Sequence, residues 1–265
     1  MTEFSIIKGK VDRPRRIMVY GPPGVGKTSF GCQAPNPILI QTEDGASDIG
    51  VDRLPLSKSY SKFMDGLRWI YKNHNGYKTI VIDSLNWLEK LIHEEVCVEH
   101  DAVGIESTVG INGQVVKEFG YQAGYGFAQD KWDDLLDNLD RIQVDTKMSI
   151  IMTAHSVVKE FADPTTDNYE RYIPALNVNK KGIGAGSLLQ QWCDEVLFIN
   201  HTVFTKESDK GMSKGIGTGE RIIYTEMRPS FDAKNRLGLP PEMPYVKDQG
   251  YAEYAKYVYS TTKEK

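Results

Sequence analysis

Cysteine is scarce: the 265 residues hold only Cys32, Cys97 and Cys193, with no CxxC among them. That excludes a zinc-ribbon or thioredoxin-type motif, and an odd, sparse set fits a reducing cytoplasm rather than a disulfide framework. The simplest reading of all three is small buried hydrophobes. Long apolar runs are missing too. No stretch approaches the roughly 18 apolar residues of a membrane span, and the opening MTEFSIIKGKVDRPRR lacks the apolar run of a secretory signal. Positive charge is not in excess, since 32 Lys and Arg against 36 Asp and Glu give a net charge of −4. Any nucleic-acid contact is therefore left to a local basic groove. No internal repeat or inter-domain linker is visible. What is there is ordinary for a globular chain: 40% hydrophobic and 26% charged residues, enough for a sizeable core in one large domain.

Strand-like and helix-like segments alternate along the first half. RIMVY (16–20), PILIQ (37–41) and KTIVIDS (78–84) are short apolar runs of the buried-strand type. SYSKFMDGLRWIYKN (59–73) places Phe63, Leu67, Ile70 and Tyr71 near helical spacing; SLNWLEKLIHEEVCVEH (84–100) does so with Leu85, Leu88, Ile92 and Val96. DKWDDLLDNLDRI (130–142) reads as a third helix, with Trp132, Leu135, Leu136, Leu139 and Ile142 on its core face. MSIIMTA (148–154), EVLFIN (195–200) and RIIYTEMR (221–228) read as further strands, and the tail YAEYAKYVYSTTKEK as a short helix with a frayed end. Such alternation predicts a mainly parallel sheet with helices packed against it. Residues 101–127 break the pattern with glycines and interleaved Phe119, Tyr121, Tyr125 and Phe127. Residues 156–189 form a second irregular stretch, and 201–220 a loop or hairpin tip.

The sharpest local signal is GPPGVGKT, followed by Ser29. Gly21, Pro22, Pro23, Gly24, Val25, Gly26, Lys27 and Thr28 fit G-x-x-x-x-G-K-[ST], the phosphate-binding loop, with a buried-type strand before it and a helix after it. Glycines let backbone N–H groups turn inward around phosphate oxygens without a Cβ clash. The following helix adds the positive end of its dipole. Lys27 would reach the β- and γ-phosphates of ATP, and Thr28 would offer a hydroxyl to Mg²⁺.

Other candidates lie at the ends of strands. TIVIDS delivers Asp83, which either holds Mg²⁺ beside the loop or caps the next helix. Many phosphate-loop ATPases place a glutamate directly after that aspartate; here the position is Ser84, so the water-activating base must lie elsewhere. LIQTEDG offers Glu43 just past the second strand, in the crevice where carboxyl ends of strands face ligand. Asp44 competes for that role, and a solvated turn is the plain alternative. His155 ends the fourth strand, placed either to touch a γ-phosphate or to bond a backbone carbonyl. Arg228, Lys234 and Arg236 in TEMRPSFDAKNRLGLP form a solvated basic turn or a cation supplied to a neighbour's phosphates.

Together these positions resemble the RecA-like branch of P-loop ATPases, and most of all its short phage-encoded members of the single-strand annealing and recombination class. GPPGVGKT, Glu43, TIVIDS, TAH, QQWCDEVLFI and AKNRLGLP carry the likeness, over about residues 15–240. It implies a three-layer α/β P-loop NTPase fold with a mainly parallel central sheet flanked by helices. It implies one domain over 1–265, with a core of about 15–240 and a tail of about 241–265. It further implies ATP and Mg²⁺ as cofactors, Glu43 as the catalytic carboxylate, and His155 as sensor of the γ-phosphate. Lys234 and Arg236 would act in trans on the next subunit's ATP, which requires self-association into a ring or filament. Residues 101–127 and 156–188 would contact single-stranded DNA, with a phage single-strand DNA-binding protein as a further partner, in the host cytoplasm.

The residues themselves speak less clearly about DNA. Across 156–188, Lys159, Arg171, Lys180 and Lys181 are cancelled by Glu160, Asp163, Asp167 and Glu170. Only NKKGIGAGS (179–187) is basic and glycine-rich enough to follow a phosphate backbone. Tyr121, Tyr125 and Phe127 either stack on bases or cover the core. Two other readings stay open: a helicase-like or helicase-loading ring, and a nucleotide-dependent switch whose partner is a protein.

Overall fold

The structure is a computed structural model that describes residues 6, 8, 9, 11, 13–106, 119, 123–179, 183–207 and 213–260. The elements run β1 (Arg16–Gly21), α1 (Lys27–Cys32), β2 (Pro37–Gln41), β3 (Asp52–Arg53), α2 (Tyr60–Asn73), β4 (Thr79–Asp83), α3 (Leu85–Glu99) and α4 (Ala123–Thr146). Then come β5 (Ser149–Phe161), β6 (Tyr169–Pro174), α5 (Ala185–Trp192), β7 (Glu195–Glu207), β8 (Ser213–Tyr224), β9 (Glu242–Pro244) and α6 (Gly250–Ser260).

One sheet organises them, in the order β3-β2-β4-β5-β1-β7-β8-β9, with β6 paired to β5 off that path. Pairing is parallel from β3 to β7, while β8 and β9 add an antiparallel edge. Alternation along β1 explains the layers. Met18 and Tyr20 point into a core with α2, α3, α4 and α5, through Phe63, Leu67, Leu88, Trp132 and Leu189. Ile17 and Val19 point the other way, into a core with Phe30 of α1 and Tyr251 and Tyr254 of α6. Strands covered on both faces must be apolar throughout, which is why RIMVY and TIVID read as unbroken runs. Each fully buried side chain of this kind contributes about 1.5–3 kcal/mol.

Local signals set the helices. Ser59 caps α2 by accepting from the Lys62 amide at 3.2 Å, and Phe63, Leu67 and Ile70 bury one stripe. Tyr71, assigned to that stripe by spacing, instead stays exposed and donates to Asp145 at 2.8 Å. Helix α4 begins at Ala123, earlier than its periodicity predicts, because glycine-rich AGYG still winds when Phe119 packs tightly against Gly124. Of the three cysteines, only Cys193 is buried; Cys32 and Cys97 are half-buried, and all are free thiols.

Two stretches read as irregular are ordered ribbons. β5 continues past His155 to Phe161 and pairs antiparallel with β6, register Val157 to Ile173. Its turn is tightened where the Asp163 carboxylate accepts from the Thr165 amide at 2.9 Å. The β7–β8 hairpin extends the fifth strand to Glu207, whereas the strand starting before Arg221 ends at Tyr224, short of Arg228. Tyr121, Lys180 and Lys181, singled out as candidate nucleic-acid contacts, lie outside the described residues. Phe119, by contrast, is buried and lies 5.8 Å from Phe127, so part of the aromatic stretch covers the core.

Candidate functional site

Parallel pairing brings the ends of β1, β2 and β4 level with His155 in the middle of β5. Gly21 lies beside His155, Gln41 beside Asp83, and Ile82 beside Met152. The loop after β1, the residues after β2 and β4, and His155 within β5 therefore share one crevice, the position where an open parallel sheet takes ligand.

The loop turns through Gly24 at φ 74° and Gly26 at φ 103°, left-handed angles that a side chain would oppose. Lys27 is buried, and its ammonium donates to the carbonyls of Gly21 at 3.0 Å and Pro22 at 2.9 Å. Burial lowers its pKa, while the carboxylates of Asp83 and Glu43 pull the other way. A cation held only by neutral carbonyls is poised to gain from an arriving phosphate. Pro23, Val25 and Ser29 complete the loop; Val25 is buried against Phe30, so the loop also roots in the core.

Asp83 ends β4 in the middle of this crevice. One carboxylate oxygen accepts from the Thr28 hydroxyl at 2.8 Å, and the other from the Thr153 hydroxyl. Thr28 and Asp83 present an all-oxygen pair of the kind hard divalent cations take, with few protein ligands so that waters and phosphates complete the shell. These residues fit Mg²⁺. Among the described residues, no cluster of three His, Cys, Asp or Glu competes for a metal.

Glu43 sits two residues past β2. Its Oε2 accepts from the Ser84 hydroxyl at 2.9 Å and lies 3.2 Å from His155 Nε2. A carboxylate only accepts, so the imidazole proton in this contact belongs on Nε2. The position beside Asp83 that lacks a glutamate thus holds the glutamate supplied by the neighbouring strand. Thr42 locks the arrangement: its hydroxyl accepts from the Ser84 amide at 2.9 Å and donates to the Ser84 carbonyl at 2.7 Å. The backbone of His155 is held as well, its amide donating to Asn86 of α3 at 2.6 Å while Asn86 donates to the Ala175 carbonyl.

Lys234 and Arg236 are not in this crevice. Val196, the bridge partner of Lys234, lies level with Met18, and Asp194, the partner of Arg236, bonds the Arg16 carbonyl. Asp194 and Arg236 thus stand at the opposite end of β1 from Gly21, about 16 Å of strand away, and the Lys234 backbone about 10 Å away. Lys234 donates to the carbonyls of Gln190, Gln191 and Cys193 at the end of α5. Arg236 is half exposed and reaches Asp194 at 3.2 Å. Arg228 pairs with Glu242 at 2.7 Å.

Sequence reasoning passed over Thr42, Thr153, Asn86, Arg221 and Tyr245, all of which touch residues of the site. Thr153 did leave a signal: it is the polar residue in the otherwise apolar IIMTA run, the buried part of β5. The other four make contacts that only folding creates.

Compared with known proteins, the chain matches the family model AAA_24, described as an AAA domain, over residues 13–237. No curated protein matches it. Among solved structures, the RadB recombinase is similar at 12% identity and a TM-score of 0.47, with 89% of each chain covered.

Proposed function

This chain belongs to the AAA_24 family of AAA domains, and from that premise we propose that it is a RecA-like, Mg²⁺-dependent ATPase acting with neighbouring copies of itself on single-stranded DNA in recombination. The observation that carries the ATPase reading is the convergence of the glycine loop, Asp83 with Thr28, and Glu43 with His155 on one crevice. The loop amides and Lys27 bind the phosphates. Thr28 and Asp83 would hold Mg²⁺, which would supply charge neutralisation of the phosphates. Glu43 accepts the proton of the attacking water or orients it. Ser84 fixes that carboxylate from below.

His155 reads the γ-phosphate. Its Nε2–H donates to Glu43, and a γ-phosphate would be the stronger charged acceptor to compete for it. Transfer of that proton donor releases Glu43 toward water. Since β5 runs on past His155 into the β5–β6 ribbon, the same move reaches residues 156–174. That continuity supports the ribbon, together with residues 175–188, as the DNA-gripping part, in line with the RecA-like resemblance of the sequence.

Arg236 supports an interface site. Standing at the far end of the sheet, it serves no phosphate of its own chain, so any nucleotide it touches belongs to a neighbour. Asp194, fully buried, holds it and Arg13 together. The single domain over 1–265 is part of this proposal.

The test is phosphate release from ATP and Mg²⁺, with and without single-stranded DNA, at two salt concentrations, for wild type beside Glu43→Gln. Hydrolysis stimulated by DNA, fading with salt and falling by about 10²–10⁴ in the variant, is expected. Turnover indifferent to DNA would overturn the DNA assignment, and a fully active Glu43→Gln would overturn Glu43 as base.

A further inference from the structure

The phosphate loop is gripped from outside its crevice. Arg221 of β8 donates from Nη1 to the Val25 carbonyl at 3.1 Å. Tyr245, just past β9, donates its hydroxyl to the Gly26 carbonyl at 2.7 Å. The two are a unit: the Tyr245 amide bonds the Arg221 carbonyl at 2.9 Å, and the guanidinium lies 4.7 Å above the phenol ring centre. Tyr245 is itself buried, with its ring packed so closely on Gly250 that a Cβ there would not fit.

A trans peptide fixes its N–H opposite its C=O. Holding the Val25 carbonyl toward Arg221 therefore aims the Gly26 N–H away from it, and holding the Gly26 carbonyl toward Tyr245 does the same for the Lys27 N–H. Those amides belong to the stretch of the loop expected to cradle phosphate. The Gly26 carbonyl also accepts the first bond of α1, from the Phe30 amide at 2.9 Å, so Tyr245 is its second donor, whereas Arg221 is the side chain that holds the Val25 carbonyl. Helix α1 is six residues long, and Gly26, its N-cap, has no side chain to make a capping bond. A Cβ on Gly26 would meet the Tyr245 hydroxyl at 2.5 Å, so the phenol occupies the space a capping side chain would fill.

We propose that Arg221 and Tyr245 are positioning residues for phosphate binding, setting the direction of the Gly26 and Lys27 amides before nucleotide arrives. This rests on the reading of residues 21–28 as the nucleotide loop. Tyr245 lies beyond the residues the family model covers, so the assignment adds a second segment of the chain to the site.

The test compares wild type with Tyr245→Phe, which deletes one hydroxyl and keeps the ring, and with Arg221→Met. Affinity is titrated for Mg²⁺-ATP and for inorganic pyrophosphate, with KM, kcat and the nucleotide-free thermal midpoint measured alongside. Loss of one neutral hydrogen bond predicts a fivefold to tenfold weaker Kd, on the order of its usual worth. The same ratio is expected for pyrophosphate, since no base is involved. KM should rise in step while kcat and the Tyr245→Phe midpoint stay near wild type. The double variant should lose less than the product of the single losses, because Arg221→Met already unseats the ring whose hydroxyl Tyr245→Phe removes. A lowered midpoint with unchanged Kd would make the pair merely structural and overturn the inference. Weakening for ATP without weakening for pyrophosphate would overturn it in favour of a base contact. Wild type binding neither ligand would overturn the nucleotide reading itself, a result distinct from tight wild-type binding with unaffected variants.

Discussion

Glu89 of α3 shows what a single residue contributes between the site and the ribbon. Both its carboxylate oxygens accept from the Asn177 amide, at 2.9 and 3.1 Å, three residues past β6. Burial pushes its pKa from 4.5 up to about 7; the Asn177 bond and Lys159 oppose the rise without cancelling it. The folded state therefore keeps a proton that the unfolded chain has released. That contribution is fully present below about pH 4.5 and is lost as pH rises through about 7, by roughly 3 kcal/mol in all. Glu89→Gln keeps an acceptor for Asn177 and removes the titration. Denaturant unfolding at several pH values should find the variant's stability flatter between about pH 5 and 7, and higher than wild type near pH 8. Parallel profiles would show that Glu89 ionises normally. His93, half-buried one turn on, is held below its usual pKa by burial, against the opposing pull of Glu106.

At the scale of elements, the C-terminus of α5 decides what Lys234 does. The last carbonyls of a helix need donors, and here the ammonium serves three of them. Lys234→Met retains the stem and leaves those carbonyls unpaired, so the thermal and denaturant midpoints should fall by an equivalent of about 1–2 kcal/mol. Unchanged stability with lost hydrolysis in assemblies would return Lys234 to the trans-acting role implied by the resemblance. Arg236, two residues on and half exposed, caps no helix; it shares the buried Asp194 with Arg13, so turning it to a neighbour would break one ion pair and loosen no helix. The β5–β6 ribbon teaches a related lesson. Each run is too short and too charged to announce a strand, and only pairing with the other makes either one extended.

For the whole molecule, the decisive geometry is the separation of the phosphate loop from Arg236 by the length of β1. If hydrolysis uses both, two chains must meet, and defects in different chains can complement. Lys27→Ala copies keep Arg236; Arg236→Ala copies keep the loop. Each alone should be nearly inactive. Mixed in equal amounts, random neighbours restore about a quarter of the interfaces, and phosphate release should recover to about that fraction of wild type. No recovery would place the complete site within one chain. No helix among the described residues is long and apolar enough to cross a membrane, so α4, the longest, is an ordinary layer of the fold.

Local pattern by itself determined the phosphate loop, the apolar strands behind it and the stripes of α2 and α3, because glycine freedom and side-chain periodicity act over a few residues. It also marked Glu43 and Asp83 as strand-end polar groups, since a buried parallel strand can carry such residues only where it emerges; His155 it took for a strand end too, whereas β5 runs on to Phe161 by pairing with β6. Tertiary structure alone decided their partners. Ser84 meets Glu43 across 41 positions of sequence, Thr153 meets Asp83 across 70, and Tyr245 meets Gly26 across 219. Those contacts depend on the order in which strands pair, which no single segment encodes. The same holds for Lys234 and Arg236: two cations in one turn look alike in sequence, and only the end of α5 tells them apart.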